Sequence, residues 1–122
     1  MQQNNDGLNE RRSSVRIKTD VRIYYSAFQS KLLSDYSVDL STGGLFLITH
    51  YPFDIDDNLA LKFSIPGPEE KTVSCKAKIA WINNETNRLK PDYPLGVGLQ
   101  FVDLAPEHLL SIEGFLEAEA TS

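Results

Sequence analysis

Apolar and polar residues alternate with a period of two along most of the chain, which is the pattern of β-strands with one buried face. The longest alternation covers residues 72–81, and shorter apolar or alternating segments cover residues 21–26, 32–40, 45–49, 59–65 and 97–101. Turn-forming residues separate these segments, such as Pro66-Gly67-Pro68 after the fourth. Six strands are therefore predicted.

The period changes near the C-terminus, where a helix is predicted. Leu109, Ile112, Phe115 and Leu116 recur with the spacing of one helix face, and Pro106 suits a first helical position. Six strands followed by one helix predict a mainly β fold. We expect a six-stranded antiparallel β-barrel whose C-terminal α-helix covers an opening or an edge.

At 122 residues the chain has room for one domain and for no separate catalytic or output domain. Residues 1–9 are predicted to be a flexible tail, residues 10–118 the domain and residues 119–122 a C-terminal tail. The start lacks the positive and apolar segments of a secretory signal, and no apolar run approaches the roughly 20 residues of a membrane-spanning helix. A cytoplasmic protein without a membrane span is expected, and the lone Cys75 agrees with a reducing compartment.

The charge of the chain is unevenly distributed. The 12 Lys and Arg residues against 17 Asp and Glu residues give a net charge of −5, which discourages binding to DNA, RNA or an anionic membrane. Five of the basic residues nevertheless lie between Arg11 and Arg22, where Asp20 is the one acidic residue. A local cationic arm on an acidic protein suits a small anion better than a long polyanion.

Arg12 and Arg16 stand four residues apart in a segment without a helical pattern, so their guanidinium groups can approach one ligand from different directions. A guanidinium can bind phosphate bidentately, stack on a purine or contact O6 and N7 of guanine. The simpler interpretation is a solvated basic arm, and the arm alone does not decide between the two.

The segment Asp39-Leu40-Ser41-Thr42-Gly43-Gly44 places polar groups at the end of a predicted strand. Because strand side chains alternate, Asp39 and Ser41 are expected to point outward while Leu40 points into the core. A carboxylate can accept hydrogen bonds from a guanine edge, and both glycines accept the positive φ of a tight turn. An ordinary Asp/Ser/Gly turn is the alternative.

Together the two segments resemble the signature of the PilZ domain family, an Arg-x-x-x-Arg arm followed further along the chain by Asp/Asn-x-Ser-x-x-Gly. The residues that match its five positions are Arg12, Arg16, Asp39, Ser41 and Gly44. The likeness continues through the late strand that contains Gly96-x-Gly98 and covers about residues 10–116.

This resemblance implies a bacterial receptor for the second messenger cyclic di-GMP. It implies that the arginines hold phosphate and guanine while the turn reads a guanine edge. Arg11 precedes the first motif arginine, a place where an arginine accompanies a stacked ligand pair in several family members, so two nucleotides per chain are expected. The expected ligand-binding residues are Arg11, Arg12, Arg16, Asp39, Ser41, Gly43, Gly44 and Trp81.

We expect residues 1–16 to be mobile without ligand and to order over it, which creates a surface that signals to an unidentified effector protein in trans. Two alternatives from other classes stay open. One is a PilZ-type protein-interaction module that is independent of nucleotide. The other is a small β-barrel that binds single-stranded nucleic acid, against which the net charge of −5 weighs.

The remaining candidates are weaker. Trp81 is expected either in the core or at the border of the ligand site, and Cys75 is expected to be buried and inert. His50 and His108 lack ligand-like neighbours in the sequence, so no metal site is predicted. No nucleophile and base stand together, so neither catalytic residues nor a cofactor is expected. Gly96-x-Gly98 lacks the third glycine of a dinucleotide-binding loop and is expected to serve strand packing.

Overall fold

Seven strands and one helix follow one another in a computed structural model that describes residues 16–27 and 31–121. The strands are β1 Ile17–Lys18, β2 Arg22–Ala27, β3 Leu33–Leu40, β4 Gly44–Ile48, β5 Asn58–Ile65, β6 Lys71–Asn83 and β7 Gly96–Phe101, and the helix α1 is Pro106–Thr121. All six predicted strands and the predicted helix are present.

Six of the strands close into an antiparallel barrel. Around the barrel their order is β3, β2, β5, β6, β7 and β4, and β4 returns to pair with β3. Closure leaves none of these six strands with a full free edge. The predicted mainly β fold, a six-stranded antiparallel barrel with a C-terminal helix, is confirmed.

The inward side chains of the barrel strands meet in one core, as the alternation predicts. On β6, Val73, Ala77 and Ile79 are buried in it. Cys75 is only half-buried and packs against the core, whereas full burial was expected.

A β-bulge in β6 separates Trp81 from the core. Ile79 pairs with Leu99 of β7 whereas Trp81 pairs with Gly98, so Ala80 is an extra residue on β6. One extra residue turns the following side chains to the opposite face of the sheet. Trp81 therefore faces outward, and of the two positions expected for it the one in the core is wrong.

The alternation does not predict the short strand β1, which has no apolar pattern of its own. It continues β2 along the same side of β3. Residues 19–21 form a bulge between the two strands, and Ser37 closes it. Its Oγ accepts a hydrogen bond from the N–H of Val21 (3.0 Å) and donates one to the carbonyl oxygen of Thr19 (3.0 Å). The chain that leads into the barrel is thereby fixed against the end of β3.

The helix α1 begins at Pro106, as predicted, and places Ile112 and Leu116 in the core. It ends at Thr121, so the helix includes most of the segment 119–122 that was expected to be a tail. Within residues 16–27 and 31–121, no helix combines the length and the apolar character needed to cross a bilayer.

Gly44 stands where the backbones of β4 and β7 come very close. A methyl group at Gly44 would overlap the carbonyl oxygen of Leu99. We therefore expect Gly44→Ala to lower the free energy of unfolding, measured by urea denaturation, by about 3 kcal/mol. Gly114→Ala is the control, because open space surrounds Gly114 in α1 and alanine favours a helix by up to about 1 kcal/mol. A Gly44→Ala protein as stable as wild type would contradict the close approach of the two strands.

Candidate functional site

Asp39 carries a buried carboxylate near the end of β3. The residue is only 1% exposed. Oδ1 accepts hydrogen bonds from Nη1 of Arg16 (3.0 Å) and from the backbone N–H of Phe46 (2.9 Å), and Oδ2 accepts one from the hydroxyl of Tyr93 (2.7 Å). Such partners are necessary, because an unpaired buried carboxylate costs on the order of several kcal/mol.

Arg16 connects the N-terminal arm to this carboxylate. It precedes β1, whose pairing with the end of β3 brings the arm alongside Asp39. The Arg16 side chain is 42% exposed, so its guanidinium contacts Asp39 and still reaches solvent. The structure thus joins one residue from each half of the predicted motif. Arg11 and Arg12, which were predicted with them, lie outside the described residues.

Ser41 fixes the shape of the turn between β3 and β4. Its Oγ donates to the carbonyl oxygen of Gly44 (3.1 Å) and accepts from the backbone N–H groups of Gly43 and Gly44 (both 3.2 Å). Neither glycine has a positive φ, so the turn does not use the conformational freedom that was expected of them. Asp39 and Ser41 lie outside the hydrophobic core, as expected of side chains that point outward, but both are buried among these partners.

Three aromatic residues on the outer side of the barrel form an aromatic wall beside Asp39, namely Phe46, Trp81 and Tyr93. The ring centroid of Phe46 lies 5.2 Å from that of Trp81 and 5.0 Å, edge to face, from that of Tyr93. Gly96 and Gly98 leave room for the wall, since a methyl group at Gly96 would meet Phe46 and one at Gly98 would overlap Trp81. The predicted packing role of this Gly-x-Gly segment is confirmed.

Cationic side chains surround the aromatic wall. Nζ of Lys18 lies 4.6 Å from the ring centroid of Tyr93, and Nζ of Lys90 lies 4.9 Å from Tyr93 and 5.6 Å from Trp81. Together with Arg16 they place positive charge around aromatic surface on a chain whose net charge is −5. A patch of this kind suits a ligand that combines flat rings with negative charge.

The loop between β6 and β7, residues 84–95, presents Lys90 and Tyr93 to this patch. Asn83, at the end of β6 and 1% exposed, organises the loop. Its Nδ2 donates to the carbonyl oxygens of Lys90 (3.1 Å), Tyr93 (3.3 Å) and Pro94 (2.9 Å), and its Oδ1 accepts from the N–H of Lys90 (3.0 Å). The sequence predicts only a polar connection here. A single tyrosine among polar residues is the signal that points to a role for the loop.

The hydroxyl of Tyr93 stays protonated beside the carboxylate. Burial is the main cause that raises the pKa of Tyr93 to about 12, and the hydrogen bond and the charge of Asp39 act in the same direction. At neutral pH the hydroxyl is therefore a hydrogen-bond donor to Asp39.

Other reactive groups and cavities lie apart from this patch. Burial raises the pKa of the Cys75 thiol to about 11, which makes it a poor nucleophile. Residues 16–27 and 31–121 hold no group of three or more His, Cys, Asp or Glu that could bind a metal ion. A groove of about 510 Å³ lies between the β4–β5 and β6–β7 loops, but no predicted ligand residue lines it. The predicted site is a surface patch rather than this groove.

A sequence model of the PilZ domain matches residues 10–118. The chain belongs to the PilZ domain family. The resemblance inferred from the two short motifs is confirmed, because the match covers most of the chain.

Several solved structures share the fold of this PilZ domain at low sequence identity. MotI/DgrA, the Bacillus subtilis inhibitor of motility, has a TM-score of 0.73 and 16% identity over 88% of this chain and 49% of that chain. The PilZ domain of CeSA from a cellulose-synthesizing bacterium has a TM-score of 0.59 and 14% identity over 88% of this chain and 99% of that chain. The PilZ domain of YcgR from Escherichia coli, solved with c-di-GMP, has a TM-score of 0.61 and 18% identity over 87% of this chain and 91% of that chain.

These likenesses show the fold. This PilZ domain spans about half the length of MotI/DgrA, 49% of that chain. A search among curated proteins finds no significant match.

We expect Asn83→Ala to loosen the β6–β7 loop, because four hydrogen bonds lose their side-chain partner. The N–H of Lys90 should exchange with deuterium about tenfold faster, since its bond to Asn83 is lost. Asn87→Ala is the matched control, because Asn87 is an exposed residue of the same loop that contributes backbone hydrogen bonds. Equal exchange of the Lys90 amide in both variants would contradict the role of Asn83.

Proposed function

We propose that this PilZ domain is a receptor for cyclic di-GMP. The observation that carries the proposal is the contact between Arg16 and Asp39, which joins the two halves of the motif beside the aromatic wall. Cyclic di-GMP combines guanine rings with phosphates, so it has the flat surfaces and the negative charge that suit this patch. The PilZ domain of YcgR, which is similar in fold, was solved with c-di-GMP.

On the arm side, Arg16 acts together with Arg11 and Arg12. Their guanidinium groups hold the phosphates and contact guanine, for which a planar fork of donors is well suited. Arg16 keeps its exposed side available for the ligand while its other side contacts Asp39. Arg11 favours a stacked pair of nucleotides, which gives two ligands per chain.

On the turn side, the carboxylate of Asp39 accepts hydrogen bonds from a guanine edge. Ser41 acts through the turn, because its three hydrogen bonds keep Gly43 and Gly44 in a fixed shape. A backbone without side chains lets a flat base approach closely. Trp81 borders the ligand from the aromatic wall and offers a ring for stacking.

The expected affinity follows from these contacts. About four to six charge-assisted hydrogen bonds contribute roughly 1.5–3 kcal/mol each, and immobilising the ligand and the arm costs several kcal/mol. The balance corresponds to a Kd of about 1 μM or lower.

PilZ domains are generally binding modules rather than enzymes, and this domain acts in the same way, without chemistry of its own. Residues 10–118 form the receptor and residues 1–9 a tail. Residues 1–16 order over the bound nucleotide, and the new surface signals to an effector protein in trans. The domain works in the cytoplasm, where a nucleotide second messenger is available.

Removing either motif arginine should weaken the binding of cyclic di-GMP by about 30-fold or more, because each variant loses a charge-assisted contact. Isothermal titration calorimetry of wild type, Arg12→Ala and Arg16→Ala measures this. Arg22→Ala is the matched control, since its guanidinium lies 4.5 Å from the exposed ring of Tyr36 on the β2–β3 face. Its affinity should equal that of wild type.

A wild-type protein that gives no saturable binding would overturn the receptor. The alternative, an interaction module that binds its partner without nucleotide, would then be favoured. Thermal melting of each variant shows that loss of binding is not loss of folding.

The arm should become protected when nucleotide binds. We expect the amides of residues 10–16 to exchange with deuterium more slowly in the presence of cyclic di-GMP, because the arm closes over the ligand. Arg16→Ala should show no such change at the same nucleotide concentration. Equal protection of the wild-type arm with and without nucleotide would show that ordering of the arm is not the signal.

A further inference from the structure

The hydroxyl of Tyr93 donates a hydrogen bond to Asp39, the carboxylate to which a guanine base binds in the proposed function. Oδ2 of Asp39 accepts the Tyr93 hydroxyl at 2.7 Å, while Oδ1 already has two donors from Arg16 and Phe46. Since Asp39 is only 1% exposed, a base edge reaches Oδ2 only after the tyrosine side chain has moved.

We propose that Tyr93 is a latch on Asp39, whose hydroxyl holds the carboxylate in the free protein and is displaced by a donor group of the bound nucleotide. Tyr93 then sets the affinity of the site from outside both sequence motifs. This inference rests on the proposed function, because it needs a ligand that hydrogen bonds to Asp39.

The side chain of Tyr93 moves, and its backbone stays in place. The carbonyl oxygen of Tyr93 accepts hydrogen bonds from Nη2 of Arg88 (2.6 Å) and from Nδ2 of Asn83 (3.3 Å), which anchor the loop at this residue. The ring is half-buried, and the side chains of Lys18 and Lys90 beside it belong to exposed residues that can follow it. Rotation about the side-chain torsions therefore frees Asp39 without unfolding the loop.

Displacement exchanges one donor for another on the same carboxylate. The leaving O–H group has to be replaced by an N–H or O–H group of the ligand, because a buried carboxylate that loses a donor is costly. A guanine edge carries two adjacent N–H groups, whereas a phosphate carries only acceptors at neutral pH. Binding of any ligand to Asp39 thus breaks the hydrogen bond from Tyr93. A base that donates hydrogen bonds to Asp39 compensates for this loss of free energy, whereas a group without donors does not.

The test is Tyr93→Phe, which removes the hydroxyl and keeps a ring beside Phe46, Lys18 and Lys90. We expect cyclic di-GMP to bind about tenfold tighter, because the latch no longer competes. The free protein should melt about 3–6 °C lower, because Asp39 has lost a donor. Tyr24→Phe is the matched control, since Tyr24 is 42% exposed on β2, and both quantities should stay as in wild type.

Calorimetry separates the failure of the latch from the failure of the proposed function. If wild type binds and Tyr93→Phe binds no tighter, the latch is overturned and the receptor function stands. If neither protein binds at millimolar nucleotide, both proposals are overturned. Binding by Tyr93→Phe alone supports the latch and overturns the receptor function of wild type, because the latch then holds wild type below the detectable affinity.

A second measurement uses the wild-type chain and does not depend on the folding of a variant. The ¹³C resonance of Cζ in labelled Tyr93 reports whether the hydroxyl is bonded to the carboxylate. Saturation with cyclic di-GMP should shift it towards the resonance of the exposed Tyr24. An unshifted Tyr93 resonance in the saturated protein overturns the latch.

Discussion

The buried carboxylate of Asp39 is the constraint on which the candidate site depends. A charge removed from water costs on the order of several kcal/mol unless hydrogen-bond donors surround it. The chain supplies those donors from three separate places: Arg16 before β1, the backbone of Phe46 on β4, and Tyr93 on the β6–β7 loop. One acidic side chain thereby ties the N-terminal arm, the barrel wall and a loop together.

The barrel can meet this constraint because irregularities in its strands turn polar and aromatic side chains outward. The pairing of β3 with β4 shifts between Ser37 and Asp39, and the pairing of β6 with β7 shifts between Ile79 and Trp81. Without the second shift the indole of Trp81 would face the core. Regular pairing elsewhere holds the core, and these bulges aim the side chains that form the outer patch.

The features that could be predicted from the sequence are those that depend on residues close together along the chain. Alternation fixes the strands and the core, and the helical spacing fixes α1. The alternation continues unbroken through Trp81, so the bulge at Ala80 is invisible along the chain and arises from pairing with Gly98. Burial of Asp39 is equally non-local, since Tyr93 reaches it from 54 positions away. Alternation predicts on which face of the sheet a side chain lies, but it does not predict which distant residues pack over that face.

Within the part of the chain that the structure describes, two of the three cations named at the patch, Lys18 and Lys90, lie outside the motifs. Arg16 is partnered by Asp39, so much of its charge is neutralised before any ligand arrives. Lys18 and Lys90 contact aromatic rings, which leave their charges available to an anion. Screening confines each charge to about 8 Å at physiological salt, so these local cations outweigh the net charge of −5 at the patch. Arg16 and Asp39 of the motif therefore contribute hydrogen bonds within the site, while β1 and the β6–β7 loop add positive charge beside it.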